Sequence, residues 1–168
     1  MLAEAGYPGG FDAGEYFCDA AYANLAEPIL NYLQAVGIRA TLRPLERAAF
    51  FSAYSDKKFK NIVQGASGAF GNAATRLEAF VAAGGTYVYG SYPDIDGLFQ
   101  EQAADLDLKR REAMLQRIQQ LVHERTVYAP IWQLAFLNGV GPRIEESGLG
   151  LIPGFAYSGP YEDLKLKR

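Results

Sequence analysis

At 168 residues the chain has room for one domain with a sizeable core and is too short to expect two. A formal net charge of −3 leaves no basic footprint for nucleic acid, since Lys57-Lys58 and Lys109-Arg110-Arg111 stand among acids. A single cysteine, Cys18, excludes an internal disulfide, and a single histidine, His123, leaves a Cys/His zinc site short of ligands.

Apolar residues at three- and four-residue spacing (Tyr22, Leu25, Ala26, Ile29, Leu30, Leu33, Val36) predict a helix over Ala20 to Val36, ended by Gly37. Pro28 either kinks that helix or stands in its first regular turn. Ile38, Ala40 and Leu42 alternate with Arg39, Thr41 and Arg43, the pattern of a strand with one wet face. A short helix over Glu46 to Tyr54 and a short strand over Asn61 to Gln64 follow. The strand runs into the glycine-rich stretch Gly65-Ala66-Ser67-Gly68-Ala69-Phe70-Gly71, after which Asn72 is placed to cap a helix carrying Leu77, Phe80 and Val81 inward as far as Gly84-Gly85.

Tyr87 to Tyr92 forms an aromatic loop, and Pro93 opens a helix with Ile95, Leu98, Phe99 and Ala103 on one side. Asp107 caps a longer helix with an apolar face of Met114, Leu115, Ile118, Leu121 and Val122. Three basic residues in its first turn oppose the helix dipole, and the sequence supplies no reason for them. Ala129 to Leu137 is apolar on both faces, as a strand covered by helices on each side would be. From Asn138 onward Gly and Pro recur and the tail reads as irregular until Tyr161 to Leu166. No stretch has the length of a membrane-spanning helix, and residues 1–6 carry neither a basic nor an apolar leader segment.

Few side chains carry chemistry. Exposed amides in the glycine stretch ahead of a helix form an anion cradle in some proteins, but Gly65-x-x-Gly68-x-x-Gly71 is neither a dinucleotide fingerprint nor a P-loop. A turn that brings bare backbone close to a neighbour is the plainer reading. His123 has no recognisable partner, and no nucleophile elbow or cysteine signature accompanies it. Asp94/Asp96 and Asp105/Asp107 flank helix starts, where acids cap and favour the dipole. Phe70, Tyr87, Tyr89, Tyr92 and Trp132 fit either a ligand groove or a core.

The ordered run Gly6-Tyr7-Pro8-Gly9-Gly10-Phe11, Val36-Gly37-Ile38, Tyr89 to Asp96 and Asp107 to Gln119 resembles the C-terminal lobe of family 5 extracellular solute-binding proteins, the receptors of dipeptide, oligopeptide and nickel ABC importers. The resemblance covers Leu2 to about Leu137, with a looser echo at Tyr161 to Leu166. It implies an α/β fold of the periplasmic-binding-protein type II class, a mixed sheet flanked by helices, in a truncated piece of a two-lobe receptor. Residues 1–137 would form the lobe and residues 138–168 an irregular tail packing on it or returning toward the missing N-terminal lobe. No catalysis and no cofactor are implied. The parent protein would be exported to the periplasm and deliver a solute to a membrane permease.

The implied ligand contacts are Gly65, Ser67, Gly68, Ala69, Phe70, Asn72, Tyr87, Tyr89, Tyr92 and Trp132. Peptide-binding members carry an aspartate for the peptide amine in the loop after the short strand, and here Ala69 falls about at that place. A desolvated ammonium without a carboxylate costs several kcal/mol. The departure implies a modified peptide, a sugar-like or an opine-like solute, or another small solute. The alternative from residue chemistry alone is a small phosphate- or nucleotide-binding α/β domain built on Gly65 to Gly71.

Overall fold

In the computed structural model, which describes residues 1–68, 72–135, 137–152 and 158–167, the central strand is one that the sequence pattern conceals. That strand, β1 (Phe11–Asp19), has a parallel partner on each side, β2 (Ile38–Leu45) and β3 (Ile62–Gln64), in the order β2-β1-β3. Its alternation is broken at Gly14, φ +75°, where the register against β2 shifts between Asp12 and Glu15. Such a bulge re-aims the residues beyond it. Tyr16 and Cys18 then pack with Ala26 of α1 (Ala23–Ala35), and Phe17 stacks on Phe59 with ring centroids 4.5 Å apart. Because side chains alternate across a strand, β1 is covered on both faces.

The described residues form two compact units, Met1–Ser67 with Ala83–Ser91 and Gly68–Ala82 with Tyr92–Arg168. In the first, α1 begins upstream of Pro28, so the proline lies inside the helix and withholds one donor from it. Gly37 ends the helix at φ +91°, and its carbonyl accepts from Phe11 N at 3.1 Å. Gly10 passes so close that a Cβ there would stand 2.0 Å from the same oxygen. This contact fixes where β1 starts against β2. β2 has the expected wet face, Arg39, Thr41 and Arg43 being exposed, and Pro44 is tolerated because β2 is an edge.

Glu46 caps α2 (Arg47–Ser55), its carboxylate accepting from Ala48 N and Ala49 N at 2.9 and 3.3 Å. Asp19, buried at the end of β1, accepts from Ala21 N and from Arg47 Nη1, both at 3.0 Å, and so ties the central strand to the start of α2. Tyr16 donates its hydroxyl proton to Gln64 Oε1 at 2.9 Å across to β3. Burial, helped by Cys18, pushes that phenol up to about 12. Burial and then Asp19 also raise the Cys18 thiol, which makes it an unreactive core residue.

The second unit is built from α3 (Ala73–Phe80), α4 (Pro93–Ala104) and α5 (Leu108–Glu124) around Val81, Ile95, Ile118 and Leu121, with Leu77, Phe80, Leu98, Phe99 and Val122 against them. α3 stops at Phe80, short of the expected Gly84-Gly85. Pro93 stands in the first turn of α4, and Asp107 caps α5 by accepting from Lys109 N and Arg110 N at 2.9 and 3.1 Å. The basic first turn of α5 has a partner after all. Arg110 donates to Asp105 at 3.0 Å, and Asp105 also accepts from Asp107 N at 2.7 Å, which with that ion pair holds its carboxyl below the usual range.

Two expectations fail here. Ala103 is exposed, and Gln102, one residue earlier, is the buried one at 1% exposure; its Nε2 donates to Phe99 O at 3.0 Å, and its Oε1 has no partner among the described residues. The expected strand over residues 129–137 is also absent: apart from Phe136, which lies outside the described residues, these positions are unpaired and exposed. A run apolar on both faces states a demand for cover, but a strand needs a free edge beside it. The strands described in this unit, β4 (Ile144–Glu146) and β5 (Lys165–Leu166), pair antiparallel with each other.

Two substitutions test this packing. Gly10→Ala meets both the positive φ and the Gly37 carbonyl, so urea unfolding should show a loss of roughly 3 kcal/mol or more. Gln102→Met removes a buried acceptor without a partner and keeps the volume; a gain of about 1 kcal/mol is expected in the same assay.

Candidate functional site

The chain leaves the carboxyl end of β3 as exposed backbone at Gly65, Ala66 and Ser67. In the order β2-β1-β3 the chain first moves from β1 to one side and then crosses to the other. Ligands of open α/β sheets lie outside the strand carboxyl ends at such a reversal, because diverging connections leave a crevice there. β1 ends at that level in Asp19, whose carboxylate is occupied by Ala21 N and Arg47. Gly65 is the neighbour with exposed backbone.

Gly65 sits against Tyr54, the last large side chain of α2; a Cβ on the glycine would be 4.0 Å from Tyr54 Cε1. Tyr54 is buried and gathers the aromatic loop, with ring centroids 4.9 Å from Tyr87 and 5.7 Å from Tyr89. Phe51 adds an edge contact to Tyr87 at 5.9 Å, and Phe50 and Phe59 close the cluster from below at 5.8 and 5.9 Å from Tyr54. The Tyr89 hydroxyl accepts from Phe59 N and donates to Tyr54 O, both at 3.3 Å. Tyr89 is 47% exposed, so the cluster ends in an aromatic residue turned to water.

Three of the expected ligand contacts, Gly65, Tyr87 and Tyr89, therefore meet at one residue. That residue, Tyr54, is not among those the sequence reading singles out, nor are Lys57 and Phe59, which follow it. The available signal is the spacing Tyr54-x-x-Lys57-x-Phe59 at the end of a short helix. Ser67 belongs to the same unit and is exposed.

The other expected contacts belong to the second unit or lie outside the described residues. Asn72 spends its side chain on the cap of α3, accepting from Ala74 N at 3.0 Å. Tyr92 precedes Pro93, packs on the Ile95 core, and has the Arg125 guanidinium 5.0 Å from its ring centroid. Arg125 also grips Asp94 with both terminal nitrogens, and this pairing holds the Asp94 carboxyl below its usual range. Gly68 is described but contributes no side chain, and Trp132 is 48% exposed. Ala69, Phe70 and Gly71, including the position of the absent aspartate, lie outside the described residues. Among the described residues no three His, Cys, Asp or Glu side chains gather as a metal site would require.

No family model matches the sequence. No curated protein matches it either. Among solved structures, HbpA2 from Haemophilus parasuis is similar over 73% of this chain at 22% identity with a TM-score of 0.62. The periplasmic binding protein AgaA from A. tumefaciens R10, in complex with agropinic acid, is similar over 72% at 23% identity and a TM-score of 0.61. The ABC transporter-associated periplasmic binding protein DppA from Helicobacter pylori, in complex with the peptide STSA, is similar over 73% at 20% identity and a TM-score of 0.59. The match takes in 26% of the first two chains and 25% of the third, so this chain spans about a quarter of their length. The chain thus has the α/β fold of the corresponding quarter of periplasmic solute-binding proteins of ABC transporters.

Proposed function

We propose that this chain is part of the solute-binding component of an ABC importer, which captures a small solute between two lobes and hands it to a membrane permease without chemistry of its own. The observation that carries the proposal is the shared fold with periplasmic binding proteins. The exposed backbone after β3 and the Tyr54-Tyr87-Tyr89 face support it, since small-solute sites combine an aromatic wall with a few backbone donors and acceptors. The parent protein would act in the periplasm, and the second wall of the site would come from the lobe that this chain lacks. Solute bridging two lobes stabilises the closed state by its differential contacts, so closure is a population shift.

The segment Ala66-Ser67-Gly68-Ala69-Phe70-Gly71-Asn72-Ala73 holds no acidic side chain. A free peptide ammonium held there would lose its water without gaining a counter-charge. On this reading the solute is a modified peptide, a sugar-like or an opine-like compound, or another small solute without a free peptide ammonium, bound through Gly65, Ser67, Gly68, Ala69, Phe70, Asn72, Tyr87, Tyr89, Tyr92 and Trp132.

The test is a set of melting curves of the parent receptor with agropinic acid, the tetrapeptide Ser-Thr-Ser-Ala, a panel of sugars, and inorganic phosphate. A bound solute at about 100 times its Kd adds about 2.7 kcal/mol, a rise of several degrees. A rise with agropinic acid or a sugar and none with the tetrapeptide is expected. A rise with phosphate alone would favour a phosphate-binding domain. With the responding solute in hand, Tyr89→Ala and Trp132→Ala should each weaken binding about tenfold or more, and unchanged affinity in both would overturn the site.

A further inference from the structure

We infer that Lys57 is a positioning residue, clamping the loop of residues 83–91 so that Tyr87 and Tyr89 stand side by side against Tyr54. The inference rests on the reading above for its ligand, but the clamp itself does not need one. α2 ends in a reversed turn: Lys57 N donates to Tyr54 O at 3.1 Å and Lys58 N to Ala53 O at 2.9 Å. Lys57 takes φ +58° in that turn, the left-handed conformation that helix ends normally give to glycine or asparagine. A lysine here bears backbone strain that a glycine would not, and a broken local rule marks a site where the side chain has work elsewhere.

The side chain reaches the loop. Its ammonium donates to the carbonyl of Gly85 at 3.2 Å and to that of Thr86, and it stands 5.4 Å from the centroid of the Tyr89 ring. These two carbonyls open the turn that Val88 N closes on Gly85 O at 3.2 Å, and Tyr87 lies inside that turn. One ammonium thus fixes the turn from its carbonyl side and holds a tyrosine by its ring face. Asp56, the adjacent acid, pairs with Lys58 at 2.8 Å and not with Lys57. Desolvation beside the loop holds the Lys57 ammonium below the ordinary lysine range. The two candidate ligand rings are therefore preset before any solute arrives, which lowers the ordering cost of binding.

The test is hydrogen exchange of the 168-residue chain, read at the Val88 amide and in peptides of β1 and α1, with Lys57→Met, Lys57→Gly and Lys57→Arg. Lys57→Met keeps the stem and loses the charge; the Val88 amide should exchange about five- to tenfold faster, with β1 and α1 unchanged. Lys57→Gly should speed the loop equally while the melting temperature holds or rises, a split that a general contribution to stability does not produce. Lys57→Arg, keeping a cation, should retain most of the protection. Unchanged exchange at Val88 in the Met and Gly variants would overturn the clamp, and so would acceleration spread evenly through β1 and α1. A receptor that answers none of the solutes above would sink the proposed function and leave this result standing.

Discussion

The approach of two glycines, Gly10 and Gly37, is the constraint on which the first unit depends. With no Cβ on either, the backbone entering β1 lies against the end of α1, and the Phe11 amide reaches the Gly37 carbonyl. That places Phe11 opposite Ile38 and, beyond the bulge at Gly14, Tyr16 opposite Leu42. A one-residue slip would turn every side chain of β1 to the wrong face. Tyr16 and Cys18 would leave the α1 layer, and Phe17 would leave the stack with Phe59. The helices on both faces follow from one close contact between backbones.

From the Phe17 side of β1, the same register leads to the aromatic cluster. Phe17 seats Phe59, Phe59 meets Phe50 at 5.3 Å, and Tyr54 carries the stack to Tyr87 and Tyr89. The rings change from buried to half exposed along this path, so a rigid aromatic face grows out of the core instead of being laid on it. Aromatic pairs of this kind contribute about 0.5–1.5 kcal/mol each beyond their buried area. A surface loop can hold its shape on such a base.

Much of this was legible where the cause is local. Asn72, Pro93 and Asp107 each start a helix through their own backbone and side-chain chemistry, and Gly37 ends one, so four boundaries could be read from single residues. β1 was not legible, because Asp12, Gly14 and Glu15 break its alternation and the bulge that restores it is a property of the pair, not of the strand. Residues 129–137 misled for the opposite reason: the pattern was strong, but pairing depends on an edge that no local pattern reports. Of the candidate site, the residue types were legible and the meeting point was not. Tyr54 joins Tyr89 across 35 residues of sequence, and only the fold brings them together.

The topology of β1 also has a consequence for the order in which the chain is made. Its first partner, β2, ends at Leu45, 26 residues beyond the end of β1 at Asp19, so the strand synthesised first has no complete neighbour until those residues exist. At ribosomal rates of about 5–20 residues per second that is a wait of roughly 1–5 s with a β-competent segment unpaired. Three acids, Asp12, Glu15 and Asp19, lie in those nine residues. In the finished fold Asp19 is tied to Arg47 and Glu15 to Arg43, both of which are synthesised later. Until then the three negative charges make two nascent copies of the strand repel, so the residues that obscure β1 as a pattern also guard it from its own kind.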